Sequence, residues 1–258
     1  MKKTKVLIIA NQKGGVGKTT IAGNLALEYA KAGYKTCIVD ADPQGSMTVW
    51  IDPKKEKLEY ELSDVLTKRL NPDLALIPVR ENLFLIGTDY KQNNLREFAE
   101  TRLMQTPHIF SSFNSSLEEK GFDLIIYDTS PSSSLLERYI LASADEICLV
   151  AKAEYFSVEG LEKILVFINN VIQDFQSSAK IDSIIINEID RTIKMHMLYQ
   201  DYINKEYGSF KYNGLKVYSL YKNSLFKKSQ DMNVFFSEIK DVKNDNENLL
   251  ELRRFINR

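Results

Sequence analysis

The stretch Asn11 to Thr20, NQKGGVGKTT, constrains this chain more than any other. A short apolar run, Val6 to Ala10, precedes it, and a run with helical spacing follows. Strand, glycine-rich turn and helix start therefore come in the order that a phosphate-binding loop needs. Gly14, Gly15 and Gly17 let the backbone turn tightly and bring its N–H groups close to a polyphosphate, because no Cβ stands in the way. The positive end of the following helix strengthens that attraction. Lys18 is placed to reach the β- and γ-phosphates of a nucleotide, and the Thr19 hydroxyl is the expected ligand of a Mg2+ that bridges the same oxygens. Val16 and Thr20 complete the expected contact surface of the loop.

Two later strands end in carboxylates. Thr36 to Val39 runs into Asp40-Ala41-Asp42-Pro43-Gln44, and acids at the C-terminal end of a parallel strand sit where open α/β sheets bind ligands. In Phe122 to Ser134, FDLIIYDTSPSSS, the apolar residues Leu124 to Tyr127 precede Asp128. That is the pattern of a buried strand delivering a carboxylate to the Mg2+ region, usually through a bound water.

The loop departs from the general pattern G-x-x-x-x-G-K-[ST]: Gln12 stands at the first glycine position, and a second lysine, Lys13, follows it. KGGVGKTT resembles the deviant Walker A box of the ParA/MinD ATPases, a group that includes chromosome and plasmid partition proteins. VDADPQ resembles the second motif of that family, and the strand ending at Asp128 its Walker B strand. AEYFSVEG, Ala153 to Gly160, is the segment most similar to the ParA branch. The resemblance runs from Lys5 to about Asn223 and is weakest between residues 50 and 120.

Much follows as implication of that resemblance. Lys13 reaches across an ATP-sandwich dimer to the partner's nucleotide. Asp42 positions the attacking water and lies near Mg2+, so that Lys13, Lys18 and Asp42 form the catalytic set and Thr19, Asp42 and Asp128 the metal region. Asn187 and Asn223 contact the adenine. The chain is an ATP hydrolase whose Mg-ATP-driven homodimer binds DNA without sequence preference, and a ParB-like centromere-binding partner stimulates hydrolysis and releases it. No N-terminal helix-turn-helix domain is expected, because the loop begins at residue 11.

One family feature is missing. Where relatives often read I-P-R-N-V-R, this chain reads Leu220-Tyr221-Lys222-Asn223-Ser224-Leu225, so Leu225 replaces an arginine used near DNA. A substitute lies around it: from Arg191 to Lys228 eight basic residues face two acids, in a chain whose net charge is −1. Confined to one segment and interleaved with tyrosines, this excess points to phosphate contacts that salt weakens, with Lys194, Lys222, Lys227 and Lys228 as the DNA contacts.

The remaining pattern alternates strands (Leu83 to Ile86, Ile147 to Ala151, Ile184 to Ile186, Val217 to Leu220) with helices. The helices are one near Leu62 to Leu70, two between residues 91 and 120, and a long one through Phe175. Between Trp50 and Asn82 only loops around one short helix are expected, since Pro53, Pro72 and Pro78 break the periodicity. The fold expected is α/β: a doubly wound, mostly parallel sheet with helices on both faces, formed by residues 1–258 as a single P-loop ATPase domain.

Cys37 and Cys148 lie inside apolar strand-like runs, which suggests buried thiols in a reducing compartment and a cytoplasmic protein; the resemblance adds association with the nucleoid. The apolar run before Asn11 is too short for a signal peptide, and no segment approaches the roughly twenty apolar residues that span a bilayer. Residues 246 to 258, NENLLELRRFINR, place Leu249, Leu252 and Ile256 on one helical face and arginines on the other. Two alternatives stay open. One is a MinD-like peripheral membrane regulator anchored by this last helix. The other is an iron–sulphur reductase, which would need cysteines on loops.

Overall fold

The computed structural model describes residues 3–52, 58–209 and 214–258, and for residues 156–158 the backbone alone. Pro53, the charged residues 54–57 and Lys211 of the basic segment lie outside the described residues.

Eight strands form one sheet: β1 (Lys5–Ala10), β2 (Thr36–Ala41), β3 (Leu76–Arg80), β4 (Leu83–Ile86), β5 (Leu124–Thr129), β6 (Glu146–Lys152), β7 (Lys180–Ile189) and β8 (Lys216–Tyr221). Their order is β3-β4-β2-β5-β1-β6-β7-β8. Every pairing is parallel except that of β3 with β4. The helices are α1 (Lys18–Lys31), α2 (Ser46–Ile51), α3 (Leu62–Lys68), α4 (Asn94–Thr101), α5 (Ile109–Glu119), α6 (Leu135–Ala142), α7 (Tyr155–Asp174), α8 (Lys194–Tyr207), α9 (Ser224–Asp231) and α10 (Glu247–Ile256).

The central strands are apolar throughout because both faces are covered. In β1, Leu7 and Ile9 enter one core with Leu25 of α1 and Phe255 of α10, while Val6 and Ile8 enter the other with Leu62 of α3, Phe113 of α5 and Ile164 of α7. Period-two alternation thus feeds two cores at once. The expected doubly wound, mostly parallel α/β sheet is the one observed.

One strand was not legible in the sequence. β3 carries Pro78, which reads as a breaker, yet β3 is an antiparallel edge strand with a register shift between Pro78 and Arg80. At an edge, proline's missing N–H leaves no ladder bond unmade.

The last helix docks. Leu249, Leu252 and Phe255 are buried, and α10 packs on β8 and α1. Arg258 then donates to Glu146 at 2.7 Å, to Ser183 at 2.8 Å and to Asp182, tying the end of the chain to the starts of β6 and β7.

Candidate active site

The C-terminal ends of β1, β2 and β5 meet at the point where the chain leaves β1. Register sets Asp128 beside both Ile9 and Asp40. The loop that follows β1 is stitched down by Asn11, whose amide donates to Val150 O at 2.5 Å while its Oδ1 accepts from Lys13 N at 2.8 Å. Gly15 and Gly17 have φ of +70° and +98°, so both need the left-handed region. A Cβ at Gly17 would also collide with the Asn187 amide, which donates to Val16 O at 2.9 Å. No side chain caps α1, and its first turn contains no acid. The N–H groups that open α1 are therefore left for an anion.

Charge is concentrated and buried around this loop. Lys18 is 6% exposed, and burial pushes its ammonium below the usual lysine range against the pull of Asp128 and Asp42. Asp42, 8% exposed, accepts from Gln44 N at 2.9 Å; burial pushes it up, and that contact and Lys18 pull it back. Asp128 is fully buried, and neither of its carboxylate oxygens has a hydrogen-bond partner among the described residues. Burial first and Asp40 second drive its carboxyl well above the ordinary range; the Thr19 hydroxyl is near enough to favour ionisation without completing a hydrogen bond. A buried, unpartnered carboxylate facing a lysine is costly unless something cationic or a water completes it, which fits a site for hydrated Mg2+. Among the described residues no group of three His, Cys, Asp or Glu side chains is arranged to hold a metal by itself.

Asp40 is a carboxylate that the sequence did not single out. It is fully buried and accepts from Thr48 N at 2.8 Å and Thr48 Oγ1 at 2.6 Å, an arrangement that ties α2 to the end of β2. Burial raises its pKa, and Asp42 adds to the rise. Glu137 was also missed. It is 3% exposed and closes a capping box with Ser134, a spacing that Ser-x-x-Glu advertises.

The other expected site residues are engaged within the chain. Lys13 Nζ lies 3.2 Å from Glu154 of the AEYFSVEG segment, both side chains being about two-fifths exposed. Thr20 Oγ1 accepts from Gln230 of α9 at 2.8 Å. Asn187 supports the phosphate loop as described, and Asn223 caps α9, accepting from Leu225 N at 2.9 Å. Gly14 is open to solvent beside Pro131. Cys37 and Cys148 are fully buried inside β2 and β6, and burial pushes both thiols up, so neither is placed to hold a cluster.

The basic segment differs from its sequence reading. Lys222 pairs with Asp190 at 3.2 Å, Lys228 with Asp241 at 3.0 Å, and Arg191 with Glu247 at 2.8 Å. These acids fall outside the window or at its edge, so an excess local in sequence is partly cancelled in space. Lys194, Lys205 and Lys227 are exposed and have no ion pair among the described residues.

Comparison with known proteins bears on the same loop and strands. A family model described as an AAA domain matches residues 4–181. An uncharacterised protein of Borreliella burgdorferi is 28% identical over 94% of this chain and 94% of its own length. The chromosome-partitioning ATPase Soj of Treponema pallidum is 32% identical over 74% of each chain. Among solved structures, a plasmid partition protein of Borrelia burgdorferi superposes with a TM-score of 0.71 and 24% identity, covering 90% of this chain and 97% of its own. At that identity the structural likeness speaks for the fold, whereas kinship rests on the family model and on Soj. With a Soj protein matching three quarters of it at this level, the chain belongs to the ParA/Soj family of partition ATPases.

Proposed function

We propose that this protein is a partition ATPase that moves a plasmid or chromosome by a cycle of Mg-ATP binding, dimerisation, non-specific DNA binding and hydrolysis stimulated by a ParB-like partner. The observation that carries the reading is the buried group Lys18, Asp42 and Asp128 at an uncapped helix start, with both Asp128 oxygens unpartnered. The backbone of Gly14 to Gly17 and the start of α1 bind the polyphosphate; Lys18 places its charge on the β- and γ-phosphate oxygens. Thr19, Asp128 through water, and Asp42 nearby are the residues that would hold Mg2+. When bound, that ion neutralises charge on the same oxygens.

Asp42 orients a water in line with the γ-phosphorus. The new P–O bond forms as the bond to the bridging oxygen breaks, ADP and inorganic phosphate leave, and the water's second proton passes to phosphate or solvent. Lys13 is held by Glu154 in the single chain; in a dimer it exchanges that exposed partner for the nucleotide of the other protomer. Asn187, near the end of β7, and Asn223, just beyond β8, contact the adenine, and Lys194, Lys222, Lys227 and Lys228 supply the DNA contacts. The whole chain acts as one unit, in keeping with the return of α10 to pack on α1 and β8; as a DNA-binding partition ATPase it works in the cytoplasm, on the nucleoid.

The membrane alternative is disfavoured by one observation: Leu249, Leu252 and Phe255, the apolar face of α10, are buried in the fold.

Light scattering on the purified chain with ATP, with ADP and without nucleotide tests the cycle. A dimer that forms with ATP alone, and persists in Asp42→Ala, supports it; an ATP-insensitive mass contradicts it.

A further inference from the structure

The segment between β5 and α6, Ser130 to Ser134, forms one wall of a cleft of about 510 Å3 whose other wall includes Asp42 and Gln44. Pro131 in this segment lies against the phosphate loop, 3.8 Å from where a Cβ of Gly14 would sit. Glu137, in the first turn of α6, draws the whole segment together. It accepts from Ser134 N at 3.1 Å, from the Ser134 hydroxyl, from Ser132 Oγ at 2.5 Å and from Ser130 Oγ.

A helix cap accounts for only part of this. The capping box needs Ser134 and Glu137 alone. Ser130 and Ser132 lie outside the box, and their hydroxyls fold the wall back onto a carboxylate that is 3% exposed. Ser130 is two residues beyond Asp128, so the clasp closes a ring running from the end of β5 to the first turn of α6. Ser130 and Ser132 line the same cleft as Asp42, which sets the clasp beside the reacting region.

We infer that Glu137 is a positioning residue for phosphoryl transfer: by clasping Ser130 and Ser132 it fixes the wall against which the attacking water is held opposite Asp42. This rests on the reading of Asp42 given above. Glu137 acts through the serines, so its loss leaves the phosphate cradle whole and blurs the geometry of the water. Misplacement by about 1 Å costs up to about a hundredfold in rate.

The test is steady-state phosphate release by the full chain with Mg-ATP. The double variant Ser130→Ala, Ser132→Ala keeps the Ser134–Glu137 cap and so keeps α6. Its kcat is expected to fall about tenfold while KM for ATP stays within about twofold. The melting temperature should be unchanged. Threonine at both positions keeps the hydroxyls and should restore the rate, and Glu137→Ala should be at least as slow as the double alanine variant. Normal kcat in the double variant, or a loss expressed only in KM, overturns the inference even where Glu137→Ala fails to fold. Asp42→Ala run alongside separates the two readings. If it is inactive while the serine variant is normal, the clasp alone falls; if it hydrolyses ATP at the parental rate, the role of Asp42 falls and the clasp falls with it.

Discussion

At the phosphate end of the sheet the charges are buried and short of partners, whereas along β7, β8 and α9 they are exposed and mostly paired. Lys18 is 6% exposed and Asp128 fully buried with both oxygens free, while the Lys222 and Lys228 side chains are 67% and 49% exposed, each on an acid. A buried charge without a partner costs several kcal/mol and persists only where a ligand or a mechanism requires it. An exposed ion pair is worth about 1 kcal/mol or less and is readily exchanged for another anion. The first region is thus built for one ligand in one geometry. On the function proposed above, the second exchanges these weak pairs for DNA phosphates.

The sharpest way to break this contrast is Lys18→Ala. It should abolish both nucleotide binding and hydrolysis, read by nucleotide fluorescence titration and phosphate release; ATP binding at parental affinity would mean that the buried lysine is structural. Asp42→Ala comes next, with hydrolysis lowered by about a hundredfold to a thousandfold and ATP binding kept, as expected of a group that acts on the water and not on the nucleotide. On the exposed face the effects are smaller and graded. Lys227→Ala should weaken DNA binding several-fold and reduce the slope of log affinity against log salt by about one, whereas Lys222→Ala, already offset by Asp190, should do less. Equal effects of the two lysines would show that the ion pairs do not matter. Smallest is Glu154→Ala, which frees Lys13 and should raise the ATP-dependent dimer fraction by about twofold in sedimentation, the scale of one exposed pair.

The same contrast explains what could be read from the sequence. The phosphate loop was legible because its residue types answer to a chemistry local in the chain: Gly15 and Gly17 do take positive φ, and Lys18 does lie buried at the helix start. Asp128 was legible as the end of an apolar strand. Asp40 was not, because its company with Asp128 comes from the register of β2 on β5, which a single strand does not reveal. Pro78 concealed β3 for the complementary reason: its tolerance depends on the strand lying at an edge. The basic segment was misjudged in strength, since Asp241 and Glu247 reach it from residues that follow the counted window. Asn187, inside β7, and Asn223, two residues beyond β8, form a loop strut and a helix cap that were not legible, because these contacts are made across the fold or after a helix has started.

The central claim is that ATP held at the buried end governs DNA binding by the exposed face. Its most direct test is binding of the purified chain to a non-specific DNA duplex with ATP, with ADP and without nucleotide, each titrated against salt. The account predicts tight binding with ATP alone, falling steeply as salt rises. Equal binding in all three states, or none in any, would contradict it.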